Sequence, residues 1–125
     1  MKILVVDDSL LERKLVINIL KKGGHANEIL QAADGEEALK ILGENYKDIC
    51  LILLDWQMPK MNGLDFMRGV VKVPQVASIP IVMITASSSE ENKKEVYTIN
   101  PNLAGYVVKP YKAEKLLEVV NPHIK

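Results

Sequence analysis

The stretch Ile49 to Leu54, ICLILL, constrains the fold more than any other part of the chain. Six apolar residues without alternation are too few to span a membrane and fit a strand covered on both faces. Such a strand implies a parallel sheet with helices above and below it. The run ends in one carboxylate, Asp55, and a turn-rich loop follows, ending at Gly63. In open parallel sheets ligands bind beyond the carboxyl ends of the strands, so Asp55 is expected to face a crevice and not the core. A lone Asp at a strand end is more often a simple cap, so its chemistry has to rest on other residues.

The rest of the chain repeats a strand-then-helix rhythm. Lys2 to Val6 is a short β-branched run ending in Asp7 and Asp8, with Ser9 placed as an N-cap. Leu11, Leu15, Val16, Ile19 and Leu20 then form an apolar stripe that Gly23 and Gly24 stop. Residues 28–33 read as a weaker strand. Asp34 and Glu37 form a capping-box pattern before a helix with Ala38, Ile41 and Leu42 inward. Residues 45–48 turn the chain into the central strand. A third helix carries Leu64, Met67 and Val71, Pro74 and Pro80 bracket a loop, and Ile81 to Ile84 form another covered strand ending at Thr85. The helix expected over 87–99 has a thin apolar face of Val96, Tyr97 and Ile99. Pro101 disfavours helix at Asn100, and Asn102 is a candidate for the left-handed conformation. Gly105 to Val108 makes a fifth strand ending at Lys109 and Pro110. Ala113, Leu116, Leu117 and Val120 line a last helix that Pro122 ends. Five βα units with right-handed crossovers predict a doubly wound α/β fold, a three-layer sandwich around a five-stranded parallel sheet.

A chain of 125 residues predicts one domain, 1–125, able to bury roughly two-thirds of its unfolded surface. The single Cys50 lies inside the apolar strand and reads as a small buried hydrophobe in a reducing compartment. Sixteen basic residues balance sixteen acidic ones, which argues against bulk attraction to nucleic acid or membrane. Charge follows directly on the first apolar run, so neither a signal peptide nor a membrane span is read, and a cytoplasmic location is expected.

On this scaffold Asp7 and Asp8 end the first strand, Asp55 the third, Thr85 the fourth and Lys109 the fifth. Any one of them could be a cap or a solvated charge, but strand-terminal polar groups of complementary kind at one edge point to a site. Clustered carboxylates repel unless a cation sits among them. With oxygen ligands only and no His or Cys nearby, the choice falls on Mg²⁺. A nucleophilic carboxylate, Mg²⁺, a hydroxyl and an ammonium suit phosphoryl transfer: Asp55 would take the group as a mixed anhydride, with Thr85 donating a hydrogen bond and Lys109 neutralising charge.

The pair Asp7-Asp8, the loop DWQMPKMNG from Asp55 to Gly63, Thr85-Ala86 and Lys109-Pro110 together resemble the receiver domain of two-component response regulators, along the whole chain. The resemblance implies a flavodoxin-like fold with strand order 2-1-3-4-5. It makes Asp55 the phosphoacceptor. Asp8, Asp55 and the Gln57 carbonyl would bind Mg²⁺, with Asp7 helping through water. Thr85 and Lys109 would hold the phosphoryl group, and Tyr106 falls on the switch aromatic. A cis Lys109-Pro110 bond is implied too. The partners implied are a sensor histidine kinase or phosphotransfer protein and a downstream target whose affinity changes on phosphorylation. Such a domain is no enzyme beyond its own phosphorylation and dephosphorylation. The chain departs from the family's Ala-Gly-Ala type turn at Pro101-Asn102-Leu103.

Rival readings meet the same residues. A haloacid-dehalogenase-type phosphatase wants a second acid two residues after its nucleophile, where this chain has Gln57. A flavodoxin-like FMN carrier needs a phosphate-cradling first loop, which Asp7 and Asp8 would repel. A degenerate receiver acting only as an interaction module would lack some of the five site residues present here. His25 and His123 show no ligand spacing, and Lys93, Lys94, Lys112 and Lys115 read as solvated helix faces.

Overall fold

A computed structural model describes all 125 residues. Five parallel strands, β1 (Lys2–Val6), β2 (Ile29–Ala32), β3 (Ile49–Leu54), β4 (Ile81–Thr85) and β5 (Gly105–Val108), form one sheet in the order β2-β1-β3-β4-β5. The flavodoxin-like order implied by the resemblance is therefore the observed one. Every residue of β3 is buried, as its unbroken apolar run requires of a strand covered on both faces.

Alternation along the strands divides the core between the two sides. Leu4, Val6, Ile52, Leu54, Ile81 and Met83 meet the helices α2 (Gly35–Asn45), α3 (Gly63–Val71), α4 (Pro74–Ala77) and α5 (Glu90–Ile99). Ile3, Val5, Leu51, Leu53, Val82 and Ile84 meet α1 (Leu10–Lys22) and α6 (Ala113–Val120). One irregularity interrupts the pattern: Lys2 pairs with Ile49 but Ile3 with Leu51, so Cys50 is an extra residue. That bulge puts Cys50 on the same side as Leu51 and resets the faces ahead of Asp55.

Several expectations are corrected. The α1 stripe is only half buried: Val16, Ile19 and Leu20 are core, whereas Leu11 is 78 % and Leu15 47 % exposed. The first turns of α1 stand at the carboxyl edge of the sheet, where Leu15 borders a surface hollow with Lys109 and Tyr111 instead of strand. In α3 the buried residues besides Gly63 are Leu64, Phe66, Met67 and Val70, while Val71 is half-buried, because α3 packs on α2, α4 and α5 as well as on the sheet. The loop expected between Pro74 and Pro80 contains the single turn α4, with Pro74 at its first position, where a missing N–H costs nothing. Tyr97 is exposed and Val96 alone of α5 is fully buried. Asn102 is not left-handed; the buried Asn100 side chain instead accepts a hydrogen bond from its N–H. The positive φ angles belong to Gly24 (93°) and Lys60 (63°). No helix is long and apolar enough to cross a membrane.

Candidate functional site

The sheet delivers its polar residues to one edge. Asp55, Gln57, Thr85, Ser87, Asn92 and Lys109 line a cleft of about 400 Å³ beyond the ends of β3, β4 and β5. Asp7 and Asp8 join from the end of β1: oxygens of Asp7, Asp8 and Asp55 lie within 4.8 Å of one another. Local structure holds Asp7 and Asp55. Asp7 Oδ1 accepts from the Ser9 N–H (2.9 Å) at the start of α1, and Arg13 donates to the Asp7 carbonyl (2.6 Å). Asp55 Oδ1 accepts from the Trp56 N–H (2.9 Å). The loop after Asp55 folds back so that the Gly63 N–H reaches the Trp56 carbonyl at 2.7 Å.

Lys109 connects the carboxylates, donating to Asp7 Oδ2 at 3.1 Å and lying 3.8 Å from Asp55 Oδ1. It follows Val108 at the end of β5 and precedes Pro110 across a cis peptide bond, as the resemblance implies. Burial works against its charge, but Asp55 and Asp7 outweigh burial and hold its pKa above the ordinary value. The Asp55 carboxyl is pushed up to about 6, first by burial and next by Asp7, which Lys109 and the Trp56 N–H only partly offset. One ammonium among three carboxylates leaves negative charge uncompensated. The donor set is all oxygen, with Asp7 buried, Asp55 half-buried and Asp8 open to solvent. Those residues fit a hard divalent cation that keeps part of its water.

Thr85 and Tyr106, assigned to the switch, are joined through a residue that sequence reasoning missed. The Ser87 N–H donates to Thr85 Oγ1 at 3.3 Å, and the Tyr106 hydroxyl donates to the Ser87 carbonyl at 2.8 Å. Tyr106 is thereby tied to the β4–α5 loop. Lys93, read as a solvated face, lies 5.5 Å over the Tyr106 ring. Asn92 was missed as well, although a Ser89-x-x-Asn92 capping pattern could have drawn attention to it: Ser89 Oγ caps the Asn92 N–H, and Asn92 Nδ2 donates to Ser87 Oγ at 2.7 Å. His25 bonds Asn121 on the surface, in keeping with a structural role.

A profile of the response regulator receiver domain matches residues 3–121. The chain belongs to that family. Curated receivers similar to this one include a chemotaxis protein CheY homolog of Campylobacter jejuni, 38 % identical over 94 % of this chain and 88 % of the relative. Chemotaxis protein CheY1 of Helicobacter pylori is 40 % identical over 94 % of this receiver and 92 % of its own length. Among solved structures, CheY4 of Vibrio cholerae superposes with a TM-score of 0.85 at 35 % identity, covering 97 % of this receiver and 96 % of that chain. A chain of the CheX–CheY–BeF3–Mg²⁺ complex of Borrelia burgdorferi superposes with a TM-score of 0.87 at 28 % identity, covering 100 % and 90 %. As a receiver, the protein acts in two-component signalling, which neither the phosphatase nor the FMN-carrier reading accommodates.

Proposed function

We propose that this receiver accepts a phosphoryl group on Asp55 from a histidine kinase or a histidine phosphotransfer protein and so changes its affinity for a downstream protein. The observation that carries the reading is the Asp55 carboxylate at the strand end, with Lys109 at 3.8 Å and Thr85 lining the same cleft. Oδ1 is engaged by the Trp56 N–H, which leaves Oδ2 to attack phosphorus. An O–P bond forms as the N–P bond of the phosphohistidine breaks, and the imidazole leaves with the electron pair. Lys109 faces the charge that collects on the phosphoryl oxygens, and Thr85 offers its hydroxyl as donor. Asp8, Asp55 and the Gln57 carbonyl, with Asp7 through water, would hold Mg²⁺, which when bound neutralises charge between acceptor and phosphoryl oxygens.

Similarity to chemotaxis receivers favours a chemotaxis-type pathway for this chain too. The zero formal net charge supports a protein partner over nucleic acid or membrane; a cytoplasmic place beside the kinase belongs to the same reading. Gln57 stands two residues after Asp55, where a dehalogenase-type phosphatase has its second acid, which suits self-phosphorylation and self-dephosphorylation and not turnover of another substrate. Trp56 lines the cleft and reports on it. Mg²⁺ is expected to change Trp56 emission saturably, and Asp8→Ala to weaken that response strongly. A full response in Asp8→Ala would put the cation elsewhere.

A further inference from the structure

Thr85 is buried at 4 % exposure, and what little it shows lines the cleft beside Asp55 and Lys109. A hydroxyl has one proton and two lone pairs, so a donor fixed on a lone pair steers the proton. That donor is the Ser87 N–H. Ser87 is held further: its carbonyl by Tyr106, and its Oγ by Asn92 Nδ2 at 2.7 Å and, at the longer distance of 3.4 Å, by the Ser89 N–H. The anchor at Asn92 is firm because this residue sits in the first turn of α5 with its own N–H capped by Ser89 Oγ.

We propose that Asn92 is a positioning residue for phosphoryl binding: through Ser87 it aims the Thr85 hydroxyl into the cleft. The proposal rests on the reading of Asp55 as phosphoryl acceptor. Preorganised donors stabilise a charged group without reorganising when it arrives, so loosening Ser87 weakens the Thr85 contact while every direct ligand remains.

The test is titration of the Mg²⁺-loaded protein with beryllofluoride, an acyl-phosphate mimic, read by Trp56 fluorescence. Asn92→Ala is expected to weaken binding by about two- to tenfold, the factor for one ordinary hydrogen bond. Ser87→Ala keeps its N–H but loses the Asn92 contact; it is expected to match, and the double variant to be no worse than either single. In a Thr85→Ala background, Asn92→Ala is expected to add nothing. Mg²⁺ affinity should stay at the wild-type value, and the thermal midpoint should not fall, since Ala is the better helix former. A wild-type protein that binds no beryllofluoride overturns the acceptor reading and the proposal with it. With wild-type binding intact, unchanged affinity in Asn92→Ala overturns the proposal alone. So does a full additional loss in the Thr85→Ala background, or a midpoint that falls in step with affinity in both single variants.

Discussion

Burial and Asp7 push the Asp55 carboxyl up to about 6 from an unfolded value of 3.8, so in the absence of a cation this residue works against the fold at neutral pH. The folded state holds the proton more tightly than the unfolded state, which means stability is lost as pH rises from 3.8 through about 6. Removing the charge relieves the conflict. In EDTA, Asp55→Asn is expected to melt a few degrees above wild type at about pH 7.5, with the gap shrinking toward about pH 5. Thermal melts of both proteins at the two pH values check it, and a gap that widens on acidification would contradict it. Asp55 itself was legible because it ends an unmistakable buried strand. Ser87 and Asn92 were not: they act through a backbone N–H and an interloop contact that no periodicity encodes.

At the scale of elements, the loop from Asp55 to α3 has a tight point at its end. A Cβ on Gly63 would run into the carbonyl of Asp55, so the small residue is needed for close approach of two backbones. Gly63→Ala should therefore cost about 1–3 kcal/mol, the range for overpacking, and distort the acceptor loop as well. Denaturant melts give the first quantity and Mg²⁺ titration of Trp56 the second; wild-type values for both would contradict the role given to this loop. Strand and helix positions were readable because burial on two faces and one-sided stripes leave different periods. The misses have a common cause in packing context. Leu11 and Leu15 sit in a regular stripe yet are exposed, because α1 outruns the sheet at that end. Phe66 falls outside the expected stripe yet is fully buried, because α3 touches other helices besides the sheet. Lys60 carries the positive φ that Asn102 was expected to take. A turn enforced by tertiary contacts can place an ordinary residue there.

Across the whole molecule, the sheet sets a polar cleft at one edge and a loop that leads away from it through Thr85, Ser87 and Tyr106 to α5. A phosphoryl group on Asp55 gives Thr85 a charged acceptor, and charge-assisted hydrogen bonds are the stronger kind. If that contact biases the β4–α5 loop and Tyr106, Thr85→Ala should still be phosphorylated but lose much of the NMR shift change over residues 88–108; an undiminished change would remove the hydroxyl from the relay. All of this depends on Asp55 being the acceptor. The most direct measurement is intact mass after incubation with acetyl phosphate and Mg²⁺. Wild type is expected to gain the mass of one phosphoryl group, and to gain nothing when EDTA is added or when Asp55→Asn replaces the nucleophile. Equal labelling of Asp55→Asn would contradict the assignment.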